Sequence, residues 1–216
     1  MEGNFDSNIT ADFQSAFHGW CYQAVIEGYR KMVKDTTAGF SEWEEEDLSA
    51  RLAKESQDLK WVKQKSIKII PEYRLYDDKV YSGQKKAKSA ARIDFLFSSW
   101  NDNEDHDYFA EAKNLYHTDR RSPGDANRSK NYYIKGGIER FASGVYPHGF
   151  LLGYVLRGEI DEVVSNLNQV MEKKGLSPHI GQITAKSTLH SHPYCYTSNN
   201  MTESGTLELR HIFLKF

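Results

Sequence analysis

The sequence lacks the features that mark several common classes of protein. It has two cysteines, Cys21 and Cys195, and their wide separation argues against a disulfide framework. Its apolar runs span only a handful of residues and its start carries no apolar signal segment, so we expect no membrane span and a cytoplasmic location. There is no internal repeat or low-complexity tract. A net charge of −2 gives no overall basic character, so any contact with nucleic acid must come from local basic clusters.

The remaining composition is that of a globular protein. Hydrophobic residues make up 39% of the chain and aromatic residues 13%, which argues against disorder. A length of 216 residues is sufficient for one domain with a full core. We expect a single domain over residues 1–216, with an N-terminal helical extension (1–40), a core (41–156) and a C-terminal helix with strands (157–216).

The most informative stretch runs from Ala91 to Leu115. Two segments rich in aromatic and branched residues flank a polar turn between Ser98 and His106, which predicts a β-hairpin. Side chains two apart in a strand share a face, so Glu111 and Lys113 point the same way. Antiparallel pairing would place Asp94 of the first strand close to both. One sheet face would then carry two carboxylates and an ammonium within a few ångströms of one another.

The residue types in such a cluster suit metal-dependent hydrolysis. Carboxylate oxygens suit Mg²⁺ or Mn²⁺, and such a cation orients and acidifies a water molecule. Lys113 would position that water or neutralise charge on a phosphate. The pattern therefore predicts phosphodiester hydrolysis. The motif alone leaves another interpretation open, because a solvated Glu-x-Lys pair on an edge strand contributes only ~0.2–1 kcal/mol and has no chemical role.

The spacing Asp94, Glu111-Ala112-Lys113, with a gap of 111 − 94 = 17 residues, resembles the PD-(D/E)xK nuclease superfamily, the fold of many restriction endonucleases. Ile93 stands where the signature prefers proline. The resemblance implies that Asp94 and Glu111 hold the metal, aided by the carbonyl of Ala112, and that Lys113 holds the attacking water.

A further acidic residue is implied by the same resemblance, from the helix that precedes the core strands. The sequence predicts this helix from Ser41 as its N-cap to near Leu59. Glu45, followed by Leu48-Ser49, matches the family arrangement best, and Glu44 remains the alternative.

The order of the predicted elements agrees with this superfamily. We expect an α/β protein with a restriction-endonuclease-like αβββαβ core, a central mixed sheet flanked by helices, an N-terminal helix and C-terminal strands. The other predicted elements are an aromatic helix at 9–33, strands at 67–76, 182–196 and 207–216, and helices at 129–145 and 158–174. A near-continuous apolar run predicts a further strand at 148–156 that is buried on both faces and hence central. The aromatic helix is expected to pack, with a dimer seam as the alternative. The likeness covers about 41–156.

Basic residues near these elements are candidates for phosphate contact, although a solvated surface is the alternative for each. They are Lys85, Lys86 and Lys88 before Asp94, Arg120, Arg121, Arg128 and Lys130 in a loop predicted over 114–130, and Lys135 and Arg140 in the next helix. His192 is expected to face solvent or DNA, because His190, His192 and Cys195 offer too few ligands for zinc.

The segment from Tyr133 to Tyr146 also resembles a pattern in nuclease-like defence proteins, and its helical glycines indicate a close approach to the sheet or to a ligand. Together these resemblances imply an Mg²⁺-dependent endonuclease of bacterial defence or restriction, with Mn²⁺ as an alternative cofactor. DNA is the expected substrate, RNA the alternative, and a homodimer or a defence partner protein is expected. The second hypothesis is a catalytically idle nucleic-acid-binding or scaffolding subunit.

Overall fold

The computed structural model describes residues 7–35, 39–101, 104–177, 179–185 and 189–216. In these ranges the chain forms an α/β fold with one seven-stranded mixed sheet flanked by helices, in the strand order β1-β2-β3-β4-β7-β6-β5. The strands are β1 (Lys68–Leu75), β2 (Ala91–Asn101), β3 (Glu104–Tyr116), β4 (Gly149–Arg157), β5 (Thr184–Ala185), β6 (Cys195–Thr202) and β7 (Gly205–Lys215). The α-helices are α1 (Ser7–Met32), α2 (Glu45–Gln57), α3 (Lys60–Gln64), α4 (Asp78–Tyr81), α5 (Asp125–Tyr133), α6 (Glu139–Ala142) and α7 (Ile160–Lys173). In these described ranges no helix is long and apolar enough to cross a membrane.

The first three strands form an antiparallel meander, and β3 then pairs in parallel with β4 after the α5 to α6 crossover. Strand β4 is buried from Gly149 to Leu156, as predicted for a central strand. It pairs in parallel with β7 on its other side. Pro71 lies in β1 at the edge of the sheet, where the missing amide donor is tolerated.

The predicted hairpin is present, but its strands are longer and its turn is shorter than expected. Ser98 pairs with Asp107 and Ser99 with His106, so the polar segment assigned to the turn is mostly strand. Ser99 is 5% exposed, so this polar residue is buried within the strand rather than exposed in a turn. The pairing of β2 with β3 runs to Phe95 opposite Ala110; beyond it β2 continues along β1 while β3 continues along β4.

Two apolar clusters cover the two faces of the sheet. One lies beneath α1 and α2 and includes Phe17, Cys21 and Leu52. The other lies beneath α5, α6 and α7 and includes Tyr133, Phe141 and Leu167. The aromatic stripe of α1 is therefore used for packing, the first of the two roles considered, since Phe17 is fully buried.

Helix α2 begins later than predicted. Ser41 lies in a 3-10 turn (Phe40–Glu42), and the residue before the helix is Glu44 rather than Ser41. Trp43 between them is extended, so the chain cannot continue directly from the turn into the helix. Glu45 therefore lies in the first turn of α2.

The loop predicted over 114–130 is shorter than expected and spans 117–124, because β3 extends to Tyr116 and α5 begins at Asp125. Carboxylates explain the early start of the helix. Asp119 accepts the amides of Gly124 and Ala126, and Asp125 accepts those of Arg121 and Ser122. The helix predicted over 129–145 is thus shifted, and a π-helical turn (Ile134–Ile138) interrupts it.

The tail differs most from the prediction. Helix α7 matches its predicted bounds closely and opens with a capping box between Glu159 and Glu162. The single strand predicted over 182–196 is wrong, since within its described residues (182–185 and 189–196) only β5 and the first residues of β6 are named strands; residues 186–188 lie outside the described ranges. Most of the segment between the strands predicted at 182–196 and 207–216 is also strand, because β6 extends to Thr202 and β7 begins at Gly205.

Candidate functional site

The Lys113 ammonium lies among three carboxylates that come from three different elements. Its Nζ is 2.8 Å from Glu45 Oε1 of α2, 3.6 Å from Asp94 Oδ2 of β2 and 2.8 Å from Glu111 Oε1 of β3. It also donates to the carbonyl of Ala112 at 2.6 Å. The structure therefore brings together all four residues proposed as catalytic, and the Ala112 carbonyl with them.

The parting of β2 and β3 produces this arrangement. Where their backbone pairing stops, Asp94 Oδ2 accepts the amide of Ala112 at 2.7 Å, so a side chain replaces the next ladder hydrogen bond. Ala110 and Ala112 belong to the apolar cluster beneath α1 and α2. Glu111 and Lys113 consequently project from the other face, as the alternation of the strand predicted.

Glu45, not Glu44, is the helix residue that reaches the site. Its Oε2 accepts the amide of Asn114 at 2.9 Å while its Oε1 binds the Lys113 ammonium. Glu44 instead pairs with Arg121 at the surface. One turn further along α2, the buried Ser49 hydroxyl bonds the Tyr154 hydroxyl at 3.0 Å and ties the helix to β4.

Burial and mutual repulsion shift the acidity of these groups. Burial, and then the charge of Asp94, raise the pKa of Glu111 to about 8. Burial also raises the pKa of Glu45 above its ordinary value. Burial alone would lower the pKa of the Lys113 ammonium, but the charges of Asp94, Glu111 and Glu45 outweigh it and raise the pKa. Two buried carboxylates and one partly buried carboxylate around a single ammonium are thus short of positive charge.

The donor set fits a hard divalent cation in its chemistry. Asp94, Glu111 and Glu45 supply carboxylate oxygens and Ala112 a carbonyl, which are the ligand types that Mg²⁺ and Mn²⁺ prefer. Glu111 Oε2 is buried and has no hydrogen-bond partner. Within the described residues, no three His, Cys, Asp or Glu side chains are already arranged as a metal-binding group. Lys113 explains this, because its ammonium lies between the carboxylates.

Two open clefts meet at this cluster. One, of about 520 Å³, is lined by Asp94, Glu111, Arg92 and Arg140. The other, of about 550 Å³, is lined by Asn114, Tyr116, Asp125 and Arg128. Glu45, Glu46, Lys113 and Tyr132 line both clefts, so the charged cluster lies at their shared boundary.

The basic residues proposed for phosphate contact are divided between the clefts and other places. Arg128 and Arg140 line a cleft. Lys85 pairs with Asp77, and Lys86, Lys88 and Lys135 are exposed outside the lining of both clefts. Arg121 is half exposed and pairs with Glu44.

Three of the proposed contact residues are buried, contrary to the solvent-facing position we expected. The side chain of Arg120 is 2% exposed and donates to the Tyr116 hydroxyl and the Trp43 carbonyl. Lys130 is 5% exposed, and burial lowers its pKa. His192 is 6% exposed, and its Nε2 lies 2.7 Å from the Phe213 carbonyl. The contacts of Arg120 and His192 give these two side chains a structural role, and the burial of all three corrects the surface placement.

Sequence reasoning missed two residues at the site, Arg92 and Tyr132, and gave Tyr146 only a place in the pattern from Tyr133 to Tyr146. Arg92 lines a cleft, pairs with Glu46 and stands two positions before Asp94, a spacing that could have indicated it. Tyr146 donates from its hydroxyl to the Arg92 carbonyl at 2.8 Å, and burial raises its pKa to about 12. Tyr132 lines both clefts, and only its neighbour Tyr133 had been singled out.

Comparisons with protein-family models, with curated proteins and with solved structures found no match. The function of the site must therefore be inferred from its own geometry and chemistry.

Proposed function

We propose that the protein is an Mg²⁺-dependent nuclease with a restriction-endonuclease-like core. One observation carries the proposal: Glu45, Asp94 and Glu111 converge from three elements on the Lys113 ammonium, at 2.8, 3.6 and 2.8 Å. The element order α2, β1, β2, β3, α5 and β4 supports it, because it is the αβββαβ order of that core. An edge-strand charge pair in solvent would not be buried or bring a third carboxylate from a helix.

Asp94, Glu111 and the Ala112 carbonyl are the residues that would hold the cation. Bound there, Mg²⁺ would supply Lewis acidity toward the scissile phosphate and the attacking water. Lys113 holds and orients the water and carries positive charge toward the phosphate. Glu45 orients Lys113, because one of its carboxylate oxygens accepts a hydrogen bond from the ammonium and the other accepts one from the Asn114 amide. Binding of the cation requires the Lys113 ammonium to move from among the carboxylates. The contact with Glu45 keeps the ammonium close to the site.

DNA is the substrate we propose, and the cleft arginines support a polyanion. Arg92, Arg128 and Arg140 line the clefts on either side of the carboxylate cluster. Double-strand cleavage by a single site would require two chains or two binding events. A role in bacterial defence or restriction belongs to this proposal through the family resemblance alone.

The direct test is incubation of the purified chain with supercoiled plasmid in Mg²⁺, with EDTA as the metal-free control. Nicked or linear product is expected in Mg²⁺ alone. Asp94→Asn, Glu111→Gln and Lys113→Ala should each lower the rate by about 10²-fold or more, because each removes a metal ligand or a charge-stabilising donor. Glu172→Gln, an exposed carboxylate on α7, is the matched control and should cleave normally. Equal cleavage by all four variants would contradict the proposal.

A second candidate is an idle nucleic-acid-binding subunit, and one observation favours it. Within the described residues the carboxylates are not already arranged for a metal, and the Lys113 ammonium lies among them. An idle subunit would bind DNA in the clefts but would gain nothing from Mg²⁺. Binding without cleavage at any Mg²⁺ or Mn²⁺ concentration, together with no measurable metal binding, would decide for this candidate.

A further inference from the structure

Tyr132 is a large aromatic side chain that the proposed cleavage chemistry does not use. It lies near the end of α5 and is 65% exposed, although burial of an aromatic ring is favourable. Its neighbour Tyr133 is fully buried in the core and bonds His211. The helix thus presents one ring to the core and the next to the clefts. No described aromatic ring packs against Tyr132 in the part of the chain that the structure covers.

The position of Tyr132 relates it to the cleavage site. Its ring lines both clefts, together with Glu45 and Lys113 at their shared boundary. Arg128 lies four residues earlier, so the two side chains share a face of the helix. Four residues later, a Cβ at Gly136 would lie 3.4 Å from Lys113 Cε. This helix face therefore carries a guanidinium and an exposed ring, and the π-helical turn that follows the helix brings Gly136 close to the Lys113 side chain.

We propose that Tyr132 stacks on the base of an unpaired nucleotide beside the scissile phosphate. This inference rests on the proposed nuclease function and extends it to the form of the substrate. A strand that crosses from one cleft to the other must pass this ring, with its phosphates near Arg128 and Arg140. Every base has a flat face that can stack on tyrosine, but a base inside a duplex is already stacked on its neighbours. The substrate is thus a single strand, a frayed end or a splayed nucleotide.

The experiment uses the full chain and a short single-stranded DNA that carries 2-aminopurine, whose fluorescence falls when it stacks. Ca²⁺ replaces Mg²⁺ to slow hydrolysis, and anisotropy of a terminal dye gives the affinity. Wild type should quench the probe at one position in the strand. Tyr132→Ala should weaken binding by about 5- to 150-fold and remove the quenching, whereas Tyr132→Phe, which keeps the ring, should retain both.

Tyr81→Ala is the matched control. Tyr81 is 75% exposed but lies on α4, outside the lining of both clefts, and its removal should change neither readout. Wild-type affinity and quenching in Tyr132→Ala would overturn the inference and leave the nuclease proposal intact. Binding of duplex but not of single-stranded DNA would do the same. Failure of the wild type to bind either form would contradict both proposals.

Discussion

At the scale of the residue, the central feature is one ammonium shared by three carboxylates. Glu111 is 3% exposed, and its Oε2 has no hydrogen-bond partner, so its charge is only partly compensated. A buried carboxylate in this state is destabilising unless it gains a proton or a cation. Burial and this shortage of positive charge together raise the pKa of Glu111 to about 8.

The acidity of Glu111 predicts how metal binding depends on pH. Below about 8 the metal-free carboxyl holds a proton that a cation must displace, and above that pH it does not. Affinity for Mn²⁺ should therefore rise by up to about tenfold per pH unit as the pH increases toward 8, and then level off. Calorimetric titrations between pH 6 and 9 measure this. Affinity that stays constant, or that falls with increasing pH, would contradict the raised pKa.

At the scale of the element, the junction of β3 with β4 holds Glu111 and Lys113 in place. Gly149 begins β4 opposite Phe109, and a Cβ at Gly149 would lie 2.4 Å from the Phe109 carbonyl oxygen. The two backbones are thus too close for any side chain at this position. In the π-helical turn, a Cβ at Gly137 would lie 2.7 Å from the Leu151 side chain of the sheet, which agrees with the predicted close approach, whereas a Cβ at Gly144 would meet nothing within 4 Å.

Gly149→Ala should therefore lower the free energy of unfolding by about 1–3 kcal/mol, because neighbouring backbone must shift to accept the methyl group. Gly136→Ala is the matched control: its Cβ would make only an ordinary contact with Lys113, and alanine favours the helix by up to about 1 kcal/mol. Urea denaturation of the three proteins measures the difference. A Gly149→Ala variant as stable as wild type would show that β3 and β4 can separate more easily than their geometry indicates.

The elements differ in how well the sequence predicts them. The hairpin, the central strand and α7 were predicted because their apolar residues follow the period of the element. Strand β6 was missed because Ser198 and Asn200 are typical turn residues, yet both are buried. Ser198 bonds His211, which bonds Tyr133, so contacts between distant segments make these polar residues suitable for a strand.

The residues of the candidate site also differ in how well the sequence predicts their positions. Period-two alternation was sufficient to place Glu111 and Lys113 on one face, and the family resemblance favoured Glu45 over Glu44. The burial of Arg120, Lys130 and His192 could not be predicted, because it depends on which elements cover them. Tyr132 escaped notice because its exposure at a cleft is a property of the assembled helix and sheet.

At the scale of the whole molecule, positive and negative charges balance through local ion pairs. The net charge of −2 conceals a surface on which two of the three cleft arginines are paired with acidic residues, Arg92 with Glu46 and Arg128 with Asp125. Exposed pairs of this kind contribute little stability, about 0–1 kcal/mol, so phosphates can displace the carboxylates at small cost. The clefts are thus able to accept a polyanion although the chain as a whole is not basic.

The most direct test of the central claim is a titration of the protein with Mn²⁺ at pH 8, with free Mn²⁺ followed by electron paramagnetic resonance. The wild type and Glu172→Gln should bind the ion at one site, and Asp94→Asn and Glu111→Gln should bind it at least about tenfold more weakly because each loses a carboxylate ligand. Equal binding by all four proteins, or no binding by the wild type, would contradict the claim that these carboxylates form a metal site.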